Sequence, residues 1–143
     1  MNYVLEDATP QDVPLLENYK LKTIMQDAND LTEEEINKIK EYVQSHIPKQ
    51  IKAYKLIKLE NKIIGCVLVT SYQQGVFLDE LFIEKEYRNN GIGSSIVKKV
   101  LADNDIVYLW AYKKNRLAID LYKKLGFIID DETKHRYFMK YSR

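Results

Sequence analysis

A glycine-bearing segment near the middle of the chain has the residue types and spacing to bind a phosphate. The apolar stretch Leu78–Ile83 is typical of a strand, and a helix is predicted to open at Ser94. The candidate phosphate ligands lie in the loop that joins the strand to the helix and at the first residue of the helix. They are Arg88, Asn89, Asn90, Gly91, Ile92, Gly93 and Ser94. The first amide N–H groups of a helix lack intrahelical partners, and the peptide dipoles place about half a positive charge there. The glycines allow dihedrals and a close approach that a Cβ would block, so the segment predicts an anion site with a phosphate as its ligand.

The two glycines also have a simpler interpretation. Gly91 could only end a turn and Gly93 could only permit tight packing, because many strand–helix junctions look like this and bind nothing. The spacing excludes two familiar phosphate loops, since Ile96 stands where a dinucleotide-binding turn needs its third glycine and no Gly-Lys-Ser/Thr sequence follows. From this segment alone, both interpretations stay open.

A second motif downstream adds specificity. Arg-x-x-Gly-x-Gly between a strand and a helix resembles the acetyl-coenzyme A pyrophosphate loop of the GNAT N-acetyltransferase superfamily. Further along, the chain from Asn115 to Phe127 reads Asn-Arg-Leu-Ala-Ile-Asp-Leu-Tyr-Lys-Lys-Leu-Gly-Phe, which is similar to that superfamily's Asn-x-x-Ala-x-x-x-Tyr-x-x-x-Gly-Phe pattern. Two partly degenerate motifs in the family's order and separation are more specific than either alone. The matching region runs from about Ile63 to Ile129, and the rest of the chain is compatible with the same fold.

The resemblance implies how acetyl-CoA would be held. Main-chain N–H groups across Arg88–Ser94 would bind its pyrophosphate, and the Arg88 guanidinium would add positive charge. Strand-like contacts with the amides of the pantetheine arm would come from the backbone of Leu81, Phe82 and Ile83. Asn115 would contact the same arm, although the residue also fits an ordinary helix N-cap, and the two roles are compatible.

Tyr122 matches the family's tyrosine that protonates the leaving thiolate. A thiol has a pKa of about 8.5 and a phenol of about 10, so a tyrosine is protonated at neutral pH and can donate as the C–S bond breaks. The other interpretation is structural, because Tyr122 is one of 11 tyrosines and helical spacing alone would place it at a helix–sheet interface. The Asn, Ala and Gly-Phe positions of the motif favour the general acid.

An attacking amine needs a proton acceptor, because an alkyl amine of pKa about 10.4 is almost fully protonated at neutral pH. Asp79 and Glu80 are adjacent on the strand before the loop, and strict alternation of side chains would let only one face the acceptor. Glu80, which shares a face with Phe82, is the preferred base. Asp79, a water chain and a plain surface role for both acids stay open.

The rest of the sequence predicts the elements that position these residues. Strands are predicted at Tyr3–Glu6, Tyr54–Leu59, Ile63–Ser71, Leu78–Ile83, Asp105–Tyr112, Phe127–Ile129 and Arg136–Tyr141. Helices are predicted from Thr9 to near Asp27, from Thr32 to Pro48, from Ser94 to Ala102 and from Asn115 to Gly126. The strands flanking the third helix should be parallel neighbours with a right-handed crossover.

This order of elements predicts an α/β (α+β) fold. The resemblance adds a GNAT-like mixed, mostly antiparallel sheet with a central splayed parallel strand pair, flanked by about four helices, as a single domain over residues 1–143.

Composition argues against several other classes of function. A formal net charge of +1 provides no basic field for nucleic acid or an anionic membrane. The single cysteine, Cys66, lies in an apolar run, which predicts a buried structural thiol. The two histidines, His46 and His135, are distant from it in sequence, so no metal-ligand spacing exists. No apolar run approaches the length of a membrane span and no secretory signal is evident, so a cytoplasmic protein is expected.

We therefore predict an N-acetyltransferase that moves an acetyl group from acetyl-CoA to a primary amine by direct attack in a ternary complex. A small-molecule amine is preferred over a protein amine as acceptor, and family resemblance makes a homodimer possible. Two alternatives remain, a catalytically silent acyl-CoA-binding or regulatory module and a purely structural α/β interaction domain in which the glycines only form turns.

Overall fold

The computed structural model describes residues 2–26 and 30–143, and these residues form one seven-stranded sheet. In chain order the strands are β1 (Tyr3–Asp7), β2 (Tyr54–Leu59), β3 (Lys62–Tyr72), β4 (Gly75–Ile83), β5 (Ile106–Tyr112), β6 (Ile128–Glu132) and β7 (Arg136–Ser142). Their order across the sheet is β1-β2-β3-β4-β5-β7-β6. β4 and β5 run parallel, and the other neighbouring pairs run antiparallel. The predicted mixed, mostly antiparallel sheet is confirmed, including its parallel pair.

Helices pack on both faces of this sheet. The described residues form four α-helices, α1 (Val13–Gln26), α2 (Glu33–Gln50), α3 (Ile92–Asp103) and α4 (Arg116–Lys124). One buried cluster joins α1 and α2 to the sheet, and a second joins α3 and α4 to it. Within residues 2–26 and 30–143, no helix combines the length and the apolar character needed to cross a lipid bilayer.

The first two helices begin where local sequence predicts. The Glu35 N–H donates to the Thr32 hydroxyl oxygen at 3.1 Å, and the Thr32 N–H donates to the Glu35 carboxylate at 3.2 Å, which completes the predicted capping box. At Thr9 the backbone N–H donates to Asp12 at 2.8 Å, but a short 3₁₀ turn comes first and α1 begins at Val13. The predicted end of this helix near Asp27 lies outside the described residues.

α2 continues beyond its predicted end at Pro48. The helix includes this proline and ends at Gln50. Proline lacks the N–H that would bond to the carbonyl four residues earlier, so the cost falls on one bond of the last turn.

The two parallel strands part soon after they meet. β4 pairs with β5 only through Val76 with Val107 and Phe77 with Tyr108, although both strands continue for several residues. β4 stays paired with β3 to its end, and β5 stays paired with β7. The predicted splayed pair is therefore present, and the strands open a cleft between residues 79–83 and 109–112.

A β-bulge lies where the cleft begins. Leu68 of β3 is opposite Glu80 and Val69 is opposite Leu78, so Asp79 has no partner on β3. A bulge of this kind breaks the alternation of side chains between the two faces of a strand. The faces taken by Asp79 and Glu80 therefore cannot be assigned by counting along the sequence.

Candidate active site

The loop before α3 presents a row of backbone donors without partners. Among the described residues, none of the N–H groups of residues 89–94 donates a hydrogen bond to another protein atom. The next N–H, that of Ser95, bonds to the Gly91 carbonyl at 3.0 Å and starts the regular helix pattern. Gly91 is the N-cap of α3, and no side chain caps the helix there. The row is thus open to an anion.

The two loop glycines serve different purposes. Gly91 has a φ of +82°, a left-handed conformation that side-chain-bearing residues adopt with strain. This conformation starts α3 at Ile92, so the predicted start at Ser94 is wrong by two residues. A Cβ added at Gly93 would lie 3.4 Å from Ile83 Cδ1, which is ordinary contact, so a methyl group fits there.

We expect Gly91→Ala to lower the free energy of unfolding by about 1 kcal/mol, because the left-handed conformation costs a Cβ-bearing residue about 1–2 kcal/mol. Gly93→Ala is the matched control. It should leave the free energy of unfolding unchanged or raise it by up to about 1 kcal/mol, since alanine favours a helix over glycine. Urea denaturation of both variants measures the difference, and equal losses in the two would contradict this assignment.

Arg88 turns back toward the end of β4. Its Nε donates to the Ile83 carbonyl oxygen at 2.6 Å, and its guanidinium lies 5.4 Å from the centre of the Phe82 ring. These contacts fasten the loop to the strand that precedes it. A contribution of Arg88 to phosphate binding stays a prediction.

The backbone of β4 faces its two neighbours alternately. The Phe82 carbonyl is directed at β3, where a Cβ on Gly65 would come within 2.0 Å of its oxygen, and the Glu84 N–H donates to Ile64 at 2.7 Å. By alternation, the peptide groups of Leu81 and Ile83 face the cleft. Of the three residues predicted to pair with pantetheine amides, Leu81 keeps both backbone groups for this role. Ile83 keeps its N–H, because its carbonyl already accepts from Arg88, and the Phe82 backbone faces β3.

A cavity of about 450 Å³ lies where β4 and β5 part, and we call it the cleft cavity. Its walls include residues 78–81 of β4 and 109–112 of β5, together with Asn115 and Tyr122 at one side and Lys20 of α1 at another. Both Asp79 and Glu80 line it. The prediction that only one of the two acids faces the cleft is wrong, because the bulge breaks the alternation on which that prediction was based.

Tyr122 brings a protonated phenol to the cleft cavity. Its ring packs against Phe127 with the centres 5.5 Å apart, and its hydroxyl makes no hydrogen bond to any of the described residues. Burial raises the pKa of the Tyr122 phenol above its ordinary value of 10.0. The group therefore stays protonated at neutral pH, and its O–H is free for a bound molecule.

Asn115 fits both of its predicted roles. Its Oδ1 accepts a hydrogen bond from the Ala118 N–H at 3.2 Å, which confirms the helix cap. The residue also lines the cleft cavity, and its amide nitrogen makes no hydrogen bond within the part of the chain that the structure describes. The cap therefore leaves a donor available to a ligand.

Glu80 is a buried carboxylate with one oxygen unused. The residue is 4% exposed, and Oε2 accepts a hydrogen bond of 2.5 Å from the Tyr54 hydroxyl. Lys20 Nζ lies 3.9 Å from the same oxygen, whereas Oε1 is buried without a partner among the described residues. Burial raises the pKa of Glu80, although Lys20 and the Tyr54 hydroxyl oppose this shift. A raised pKa makes the ionised carboxylate a stronger proton acceptor than an exposed glutamate.

Tyr54 and Lys20 are the site residues that sequence reasoning missed. Tyr54 is fully buried on β2 and lies 26 positions from Glu80, and Lys20 lies on α1, so no local pattern connects any of them. Cys66 packs in the same buried cluster, which confirms its prediction as a buried thiol. Its own burial and the nearby Glu80 charge raise the pKa of the Cys66 thiol.

The sequence profile of the Acetyltransferase (GNAT) family matches residues 21–127. The chain belongs to this GNAT family. The fold is also that of the PaiA N-acetyltransferase from Thermoplasma acidophilum, which was solved in complex with coenzyme A. The two structures agree with a TM-score of 0.80 at 16% sequence identity, over 100% of both chains. The loop with free amides and the splayed strands are thus features of a GNAT domain.

Two curated relatives differ in the amine for which they are named. N-alpha-acetyltransferase 30 of Homo sapiens is 35% identical over 68 residues, which cover 44% of this chain and 18% of that protein. Thialysine N-epsilon-acetyltransferase of Bos taurus is 38% identical over 58 residues, which cover 37% of this chain and 34% of that protein. The chain thus spans between 18% and 34% of the length of these relatives.

Proposed function

We propose that this GNAT protein is an acetyl-CoA-dependent N-acetyltransferase that acts on a primary amine by direct attack in a ternary complex. The observation that carries the proposal is the cleft cavity, because one continuous space is lined by a protonated phenol at Tyr122 and by the buried carboxylate of Glu80. Amine acetylation needs a group that accepts a proton from the attacking amine and a group that donates a proton to the leaving thiolate.

The free loop amides support binding of the donor. The N–H groups of residues 89–94 would hold the diphosphate of acetyl-CoA at the positive end of α3. From there the pantetheine arm would lie in the gap between β4 and β5, where the peptide groups of Leu81, the N–H of Ile83 and the side-chain amide of Asn115 are available. The bound thioester supplies the activated acetyl group.

Two side chains would then move the protons. The Glu80 carboxylate would take a proton from the acceptor ammonium, and the neutral nitrogen would attack the thioester carbonyl carbon. As the C–S bond breaks, the Tyr122 hydroxyl would protonate the departing sulfur, and the acetylated nitrogen would release its surplus proton to solvent. Asp79 lines the same cavity and is the other carboxylate that could act as the base.

The size of the site supports a small acceptor. A volume of about 450 Å³ is at the lower end of ordinary small-molecule pockets, and the acyl end of the donor must share it. We therefore favour a small-molecule amine over the terminus of a folded protein.

Two measurements test this function. Acetyl-CoA at 100 times its dissociation constant should stabilise the protein by about 2.7 kcal/mol, seen as a rise in its melting temperature. Free thiol should then appear when alkyl amines, amino acids or short peptides are added, with the alkyl amines used best. Stabilisation without thiol release from any amine would assign a silent acyl-CoA-binding module, and no stabilisation at all would refute donor binding.

A further inference from the structure

A second cavity of about 440 Å³ opens beside the cleft cavity, and we call it the aromatic cavity. The two share Asp79 and Trp110 in their walls. Because side chains alternate along β5, Tyr108 and Trp110 face away from Val107 and Leu109, which pack in the cluster with α3 and α4. The aromatic cavity therefore lies on the same side of the sheet as α1 and α2.

Four aromatic rings line it, those of Tyr72, Phe77, Trp110 and Phe138, and the buried Tyr108 ring packs against this group. Tyr108 and Trp110 each contact Phe138, with ring centres 5.5 Å and 4.9 Å apart. Tyr72 contacts Tyr108 at 5.0 Å, and Phe77 contacts Phe138 at 6.3 Å. None of these rings belongs to either buried cluster of the described residues, and Tyr72 and Trp110 are each 36% exposed.

The charged side chains that line the aromatic cavity are both acidic, Asp79 and Asp131. Neither forms an ion pair with any of the described residues, and the half-buried Asp79 carboxylate accepts no hydrogen bond from them. Arg136 and Lys140 lie over the rings of Trp110 and Tyr108, and neither lines the aromatic cavity, although Arg136 lines the cleft cavity. Among the described residues, no cation lies over the rings of Tyr72, Phe77 and Phe138. A cavity lined by two carboxylates and by aromatic rings suits an ammonium group, which both kinds of side chain attract.

We propose that the aromatic cavity binds a second ammonium of the acceptor, so that the preferred acceptors are short diamines. This inference rests on the proposed function, since the other amine of the same molecule must enter the cleft cavity at Glu80. The two cavities are adjacent, since Asp79 and Trp110 line both, so a short alkyl spacer can join an amine in one to an ammonium in the other. A monoamine would leave the carboxylates of the aromatic cavity without a partner.

The test compares matched acceptors in matched variants. In the wild-type protein, kcat/KM for 1,4-diaminobutane should exceed kcat/KM for n-butylamine about tenfold, and the difference should come from a lower KM. The reason is that the second ammonium of the diamine gains one contact with the aromatic rings and carboxylates of the aromatic cavity. Asp131→Asn should reduce this selectivity ratio about fivefold. Asp130→Asn is the control, because Asp130 is the adjacent acid, likewise exposed, and does not line the cavity. It should leave the ratio unchanged.

Equal kcat/KM values for the two amines in the wild-type protein would overturn the proposal, while acetylation of both would leave the transferase function standing. An unchanged ratio in Asp131→Asn would overturn it as well. If Asp131→Asn instead converted a dimer to monomers without changing the ratio, the aromatic cavity would be a subunit contact. If no amine of any kind caused thiol release, the proposed transferase function itself would be refuted.

Discussion

Tyr122→Phe is expected to lower kcat about a hundredfold or more and to leave the affinity for coenzyme A nearly unchanged. The Tyr122 phenol lines the cleft cavity from α4 and is protonated, and its hydroxyl makes no hydrogen bond to any of the described residues. Without it, the thiolate must depart unprotonated or wait for water. Steady-state thiol release gives kcat, and calorimetric titration with coenzyme A gives the affinity.

Tyr141→Phe is the matched control for this substitution. The Tyr141 ring packs on Phe127 with the centres 5.8 Å apart, much as the Tyr122 ring does, but Tyr141 does not line the cleft cavity. Its loss should leave kcat within about twofold, because it removes a hydroxyl without removing an acid from the site. Equal activity of Tyr122→Phe and Tyr141→Phe would remove Tyr122 from the mechanism.

Glu80→Gln is expected to lower kcat/KM about a hundredfold at neutral pH, as loss of a general base usually does. Its effect on the pH profile is more specific. In the wild-type protein the rate should rise with pH as Glu80 ionises, at a pH above the ordinary carboxyl range, because burial raises the pKa of this group. The glutamine variant should lack that rise, and initial rates across pH measure it.

Tyr54→Phe separates the base from its support. The Tyr54 hydroxyl donates to the charged form of Glu80, so its removal should raise the pKa of Glu80 further and move the rise in rate to higher pH. The maximal rate at high pH should persist. If Glu80→Gln kept the wild-type pH profile and Asp79→Asn lost it, Asp79 would be the base.

The same variant provides a check that the fold is intact. A carboxyl group whose pKa is raised by folding makes the protein less stable as pH increases from the ordinary pKa through the raised one. Glu80→Gln keeps an oxygen that can accept from Tyr54 and carries no buried charge. Its free energy of unfolding at neutral pH should therefore equal or exceed that of the wild-type protein, so lost activity would not reflect lost structure.

The features that sequence predicted well are set by neighbours in the chain. The Thr32–Glu35 capping box and the Asn115 cap each join residues three positions apart, and both are present. Gly126 adopts a φ of +107° at the end of α4, as its place after the helix predicts. The parallel pair of β4 and β5 followed from the single helix that connects them.

The features that sequence missed depend on distant contacts. The bulge at Asp79 arises from the register of β4 against β3, which alternation along β4 alone cannot reveal. The partners of Glu80 come from α1 and β2, so the raised pKa of this carboxylate had no local signal. The start of α3 was misplaced because Gly91 caps it through its backbone conformation, without a side chain that marks the position.

On the proposed mechanism, the backbone amides of residues 89–94 hold the diphosphate of the acyl donor, and the orientation of the acetyl group depends on this contact. The most direct measurement is a titration of ¹⁵N-labelled protein with coenzyme A, followed amide by amide with NMR, and repeated with pantetheine, which lacks the diphosphate. With coenzyme A, the amide signals of residues 89–94 should show the largest shifts, and pantetheine should move mainly signals of β4, β5 and Asn115. Saturable binding of coenzyme A that leaves the amides of residues 89–94 unshifted would contradict the claim.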